Sequence, residues 1–217
     1  MSRKLEEKQQ RREAEERRRR EQRAHARRRN LVTLGIAAVV VALVVAGVVA
    51  QRSAEEGPSE LIGVSAASAG CTPVEEHEDE GNQHVDEGTD VSYGTVPPTS
   101  GSHYGTPAGA GFYPDAIEEE RLVHNLEHGQ IVIWYRPDAP ESTIEQLEQI
   151  LDRPEVDDSA AVLAAPYDGL DDRYTYALTA WGASQSCARV SEAAINRFRE
   201  RFQGKGPEPV GVPTFDG

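Results

Sequence analysis

Leu31 to Ala50, LVTLGIAAVVVALVVAGVVA, is a run of 20 residues without a charged side chain. A helix rising 1.5 Å per residue over that length crosses a hydrocarbon core of about 30 Å. The run therefore predicts a single transmembrane helix at 31–50 and divides everything else into a part before it and a part after it. A cleaved signal peptide is the competing reading, because Val48 and Ala50 suit small-residue cleavage positions. The apolar core of a signal peptide is typically about 7–15 residues, shorter than this one, so the expectation is an uncleaved anchor.

Charge separates the two sides. Residues 1–30 carry 13 Lys and Arg against 6 Glu, net +7, and the remainder is net −21. Arg17 to Arg20 and Arg27 to Arg29 crowd the N-terminal flank, while Arg52 is the only nearby basic residue on the other side. Basic flanks stay in the cytoplasm, so the expected topology is a cytoplasmic N-terminus and an extracytoplasmic C-terminal domain at the cell membrane. The tail at 1–30 reads as a solvated segment near anionic headgroups, which makes the lipid bilayer its partner. An acidic ectodomain repels phosphates, so nucleic acid is excluded as its ligand. Residues 51–70, small and polar with Gly and Pro, read as a flexible stalk, and the folded domain is expected at 71–210 with a short tail at 211–217. A lipoprotein site at Cys71 is disfavoured, because the apolar run ends some twenty residues earlier and Ser68 stands where an aliphatic residue is expected.

Cys71 and Cys187 are the only cysteines, and both lie on the oxidising side of this topology. They are expected to pair; two free thiols or a redox pair are the alternatives, the latter disfavoured by the absence of a CxxC arrangement. Between them the first half is rich in Gly and Pro, which points to ordered turns with a short extended piece around Val91 to Tyr93. Pro97 and Pro98 hold the chain extended and allow a cis bond. The second half is regular. Ile131 to Tyr135 reads as a buried strand, followed by a helix with Ile144, Leu147 and Leu151 on one face and Pro154 at its end. Ala160 to Ala165 and Tyr174 to Trp181 read as two more strands. Ser191 caps a last helix with Ile195, Phe198 and Phe202 as its stripe and Gly204 after it. The fold class is α+β: after the single N-terminal transmembrane helix comes a small sheet with helices on one face and a loop-rich N-terminal half.

VPPTSGSHY at 96–104, VHNLEHGQIVIWYRP at 123–137, APY at 165–167 and ALTAWGASQSC at 177–187 resemble the domain-of-unknown-function 3105 family of bacteria and archaea. The likeness covers roughly residues 70–210. It implies a layout and no activity, because the family is uncharacterised. Ser102 departs from the pattern, which has proline before the histidine.

Five histidines fall in the C-terminal domain: His77, His84, His103, His124 and His128. His124 and His128 stand four apart, which on a helical turn places both on one face at chelating distance. With His84, His103 and Glu127 or Asp86 they have the donor types for zinc or copper(II). Copper(I) thioether chemistry is disfavoured, since the only methionine is Met1. His77, among Glu75, Glu76, Glu78, Asp79 and Glu80, reads as a solvated acidic linker. HNLEH also fits the H-x-x-E-H pattern of inverzincin peptidases. Its context argues against that reading, because Gly129 and a buried strand follow at once. No glycine-rich phosphate loop or GxSxG elbow points to another enzyme class, and nothing names a small-molecule substrate. Two functions remain: a membrane-anchored domain binding a divalent transition metal through His84, His103, His124, His128 and Glu127, and a metal-free envelope interaction domain with envelope proteins as partners. A reporter fused after Gly217 should register as extracytoplasmic; a cytoplasmic signal, or a secreted form lacking residues 1–50, would overturn the anchor.

Overall fold

The computed structural model describes residues 60–157 and 161–215, so the basic tail at 1–30 and the apolar run at 31–50 lie outside the described residues. Among the described residues no helix is long and apolar enough to cross a membrane. In chain order the strands are β1 (Glu75–Glu76), β2 (His84–Val85), β3 (His103–Tyr104), β4 (Gly111–Phe112), β5 (Ile131–Tyr135), β6 (Val162–Pro166), β7 (Tyr176–Ala180) and β8 (Ala183–Cys187). The helices are α1 (Glu119–Glu127), α2 (Glu141–Leu151), the single-turn α3 (Pro154–Asp157) and α4 (Glu192–Phe202).

β5 is apolar at every position because both of its faces are covered, and all five of its residues are buried. It sits inside a mixed sheet of order β1-β8-β7-β5-β6-β4. β4 and β5 run parallel to β6, whereas β5–β7, β7–β8 and β8–β1 are antiparallel pairs. Ile131, Ile133 and Tyr135 face one side, where Leu147, Ile150 and Leu151 of α2 and Ile195 and Phe198 of α4 pack on them. Val132 and Trp134 face the other, against Leu122 and Leu126 of α1. Trp134 is buried whole because its Nε1 donates to Thr179 Oγ1 at 2.7 Å, satisfying its one polar atom.

The α+β class holds, but the helices do not share one face. α1 covers the side opposite α2 and α4. Its sequence EERLVHNLE places only Leu122, Val123 and Leu126 as apolar residues, yet His124, Asn125 and Glu127 are buried beside them. Buried polar side chains hide a helix from a reading based on apolar periodicity. The strand expected at Tyr174 to Trp181 is a hairpin: Trp181 and Gly182 form a two-residue connection, with Gly182 at φ 68°, and ASQSC returns as β8. No strand forms at Val91 to Tyr93; the extended pieces of that half are the two-residue strands β1 to β4, and Val96–Pro97 is a cis peptide. α4 matches its signals, with Ser191 Oγ accepting from Ala194 N at 3.2 Å. α2 ends at Leu151, and Pro154 opens α3.

Of the span assigned to a stalk, residues 60–70 are docked on the domain. Gly63 bridges Ser191, Val64 N donates to Val190 O at 2.9 Å, and Ile62 N donates to the buried Glu192 carboxylate at 2.7 Å. At the other end Gln203 Nε2 donates to Pro213 O at 2.8 Å and Phe215 stacks under Arg199. Cys71 and Cys187 pair, with sulfurs 2.04 Å apart and a sequence separation of 116. On the chain-entropy model, closing a loop of that length contributes about 4–5 kcal/mol. C71A/C187A should therefore lower the unfolding free energy by several kcal/mol in denaturant titrations, and reductant should shift the midpoint of the unmodified chain and leave that of the variant where it is.

Candidate functional site

Parallel pairing of two very short strands brings the first two histidines together: β2 and β3 register His84 against His103 and Val85 against Tyr104. His103 N donates to Gln83 O at 3.0 Å, which fixes that register. α1 supplies the rest, since residues three and four apart on a helix share a face. His124 and Glu127 lie on its last turns, and His128 is the residue that ends it. Gly129 then turns the chain into β5 with φ 83°, a conformation that glycine adopts without penalty. The segment after α4 closes over this end. Glu208 N donates to Glu127 O at 3.1 Å, Gly204 N donates to Gly129 O at 2.8 Å, and a Cβ on Gly206 would lie 2.1 Å from Glu127 O.

The ring nitrogens are oriented by backbone carbonyls. Nδ1 of His103 lies 2.8 Å from Gly101 O, Nδ1 of His124 lies 2.6 Å from Tyr104 O, and Nδ1 of His128 lies 2.8 Å from Glu208 O. A carbonyl oxygen only accepts, so each Nδ1 donates, and the Nε2 of a neutral ring is left with its lone pair. Those lone pairs point at one another and at a carboxylate. His103 Nε2 is 3.1 Å from Glu127 Oε2, and His124 Nε2 is 2.8 Å from His128 Nε2. Acceptor facing acceptor is favourable only when a proton or a metal ion stands between them. Imidazoles held through Nδ1–H on a carbonyl, with Nε2 turned inward, have the orientation that metal-ligating histidines require.

The donors also have a suitable spacing. One ligand atom from each of His84, His103, His124 and Glu127 lies within 4.8 Å of the other three. Bonds of about 2.0–2.2 Å place tetrahedral ligands about 3.3–3.5 Å apart. Separations of 3.1 Å from His103 Nε2 and 3.6 Å from His84 Nε2 to Glu127 Oε2 straddle that range. His103, His124 and Glu127 are buried, whereas the His84 side chain is 52% exposed, so the cluster reaches solvent on the His84 side. Burial, together with the neighbouring His128, His103 and His84, holds the His124 imidazolium pKa below its ordinary value, although its bond to the Tyr104 carbonyl acts the other way. The neutral, ligating form of His124 is thus the favoured one.

His84, His103, His124 and Glu127 come together as a group, and His128 joins through its contact with His124 Nε2. Asp86 is exposed and outside the group. His77 is half-buried and its Nε2 contacts Ser184 Oγ at 2.8 Å, so it is more than a solvated linker. The carbonyls of Gly101, Tyr104 and Glu208 are the orienting groups that a sequence reading passes over, because every residue has a carbonyl. Trp181 also packs edge-on against His103, with centroids 6.2 Å apart. HNLEH occupies the end of a nine-residue helix, with Glu127 buried among the imidazoles.

The His124 imidazole should titrate below about 6.5 in proton-detected NMR of the metal-free chain, and H128A should move that midpoint upward. Because the folded pKa is the lower one, the unfolded chain takes up this proton first as pH falls. The chain should lose stability from about pH 6.5 downward, and this loss should level off below the folded pKa.

No curated protein and no solved structure matches the chain. The family model described as protein of unknown function, DUF3105, matches residues 84–214, beginning at His84 and covering His103, His124, Glu127 and His128. The chain belongs to the DUF3105 family.

Proposed function

We propose that this chain is a membrane-anchored extracytoplasmic domain that binds a divalent transition metal, zinc or copper(II), through His84, His103, His124 and Glu127, with His128 beside His124. The observation that carries the reading is that His103 and His124 have their Nε2 lone pairs freed by Nδ1–H bonds to carbonyls, and that ligand atoms of these two, of His84 and of the buried Glu127 all lie within 4.8 Å of one another. Three imidazoles and one carboxylate are donors that suit zinc and copper(II) better than calcium or magnesium, which prefer all-oxygen sets. The net charge of −21 over residues 31–217 concentrates cations near the domain before any ligation occurs. Half-exposed His84 is the side from which an ion would enter. The Leu31–Ala50 run and its basic flank support the anchor and the location.

Elemental analysis of the full chain purified in detergent should find a single zinc or copper ion per molecule, retained through gel filtration. Adding zinc at about 100 times its dissociation constant should stabilise the metal-stripped chain by about 2.7 kcal/mol, visible as a rise in Tm. Binding requires unprotonated imidazoles, so affinity should fall as pH drops through about 6.5, and H103A/H124A should abolish both the bound ion and the Tm rise. A chain that retains no ion and shows no metal-dependent Tm would instead be a metal-free envelope interaction domain.

A further inference from the structure

The C-terminal ends of β4, β5 and β6 open into a second feature, a cavity of about 700 Å³. That volume falls within the range of about 300–1,000 Å³ that small ligands occupy. The three strands run in one direction, so Phe112, Tyr135 and Pro166 deliver their ends to the same edge of the sheet. The carboxyl ends of parallel strands are where open sheets commonly receive ligands.

Two kinds of surface line this cavity. Half-buried Phe112 stacks on the buried Tyr135 with centroids 5.4 Å apart and an interplanar angle of 9°, and half-buried Tyr167 follows from the end of β6, so Phe112 and Tyr167 are the aromatic rings that a ligand can reach. Asp115, Glu119 and Asp168 add carboxylates, and no Lys, Arg or His is among the lining residues. Burial pushes the Tyr167 phenol up to about 12, with the neighbouring Glu119 adding to the shift, and burial together with Glu120 raises the Glu119 carboxyl above its ordinary value.

We infer that this cavity binds a small organic cation, an ammonium group carried on an apolar body. The carboxylates select the sign of the charge, and the aromatic faces attract a cation through their quadrupoles while covering its hydrocarbon part. An anion meets three carboxylates and no compensating cation. A bare metal ion makes no use of the aromatic faces. The site is separate from the histidine cluster: Glu119 opens α1 and Glu127 closes it, about 12 Å apart at 1.5 Å per residue.

Calorimetric titration of the full chain in detergent with phenethylamine, phenethyl alcohol and phenylacetate tests this, since the three probes share a body and differ in charge. The amine, cationic at pH 7, should bind at least about tenfold more tightly than the alcohol, and phenylacetate should show no binding. E119Q and D168N should each weaken the amine about three- to tenfold and leave the alcohol unchanged, with circular dichroism confirming that the variants are folded. Chelator treatment should not alter the amine affinity, which separates this site from metal binding. Equal affinity for amine and alcohol, no binding of the amine up to about 10 mM, or undiminished amine binding in folded E119Q/D168N would overturn the proposal. The comparison of the three probes on the unmodified chain decides the matter even if a variant fails to fold.

Discussion

Burying Glu127 is the constraint around which this domain is arranged. A carboxylate that is 1% exposed has lost its hydration, and such a group is tolerated only with charge-compensating or hydrogen-bonding partners. The imidazoles around it have committed their Nδ1 protons to backbone carbonyls, so Glu127 is compensated only when a further proton or a metal ion stands between it and the inward-facing ring nitrogens. Three separate pieces of chain converge on it: the two-residue pairing of β2 with β3, the last turns of α1, and the clasp of residues 204–208. None of these is stable alone; a pair of two-residue strands has almost no ladder, and nine residues make a marginal helix in water. Each holds its shape because the others and the sheet beneath do.

The helix dipole adds to this logic. α1 runs from a cavity edge lined by carboxylates to a cluster of imidazoles. Its N-terminus, partially positive, favours Glu119 and Glu120 in the first turn, and its C-terminus, partially negative, favours a cation beside His124, Glu127 and His128. One element thereby serves two chemically different ends, while Leu122 and Leu126 between them lie against Val132 and Trp134 and fix the helix on the sheet.

How much of this could be read in advance depended on where the information resides. Ile131–Tyr135 was legible because a strand covered on both faces has no alternative to continuous apolarity, and α4 was legible because Ser191, Ile195 and Phe198 carry its cap and stripe locally. α1 was not, since its buried face is half polar, and polar residues on a buried face look like surface residues until their partners are known. β8 was missed for a related reason: Ser184, Gln185 and Ser186 have little strand character and are held by pairing with β7. The membership of the histidine cluster was visible from residue types and from the spacing of His124 and His128. Its convergence was not, because the register of His84 against His103 is a non-local pairing across eighteen intervening residues. The transmembrane expectation rests on residues outside those described.

The disulfide has a mechanical consequence. Force pulling the N-terminal and C-terminal ends of the chain apart travels along the covalent backbone to Cys71, crosses the sulfur bridge, and leaves through Cys187 into the segment that bears α4. Everything from Thr72 to Ser186 hangs off that line as a closed side loop. His84, His103, His124, Glu127 and the residues of the cavity all belong to the loop. Tension along that line therefore bypasses the backbone that carries both sites for as long as the bridge remains oxidised, and it reaches the histidine cluster only through the hydrogen bonds by which Gly204 and Glu208 clasp Gly129, Glu127 and His128.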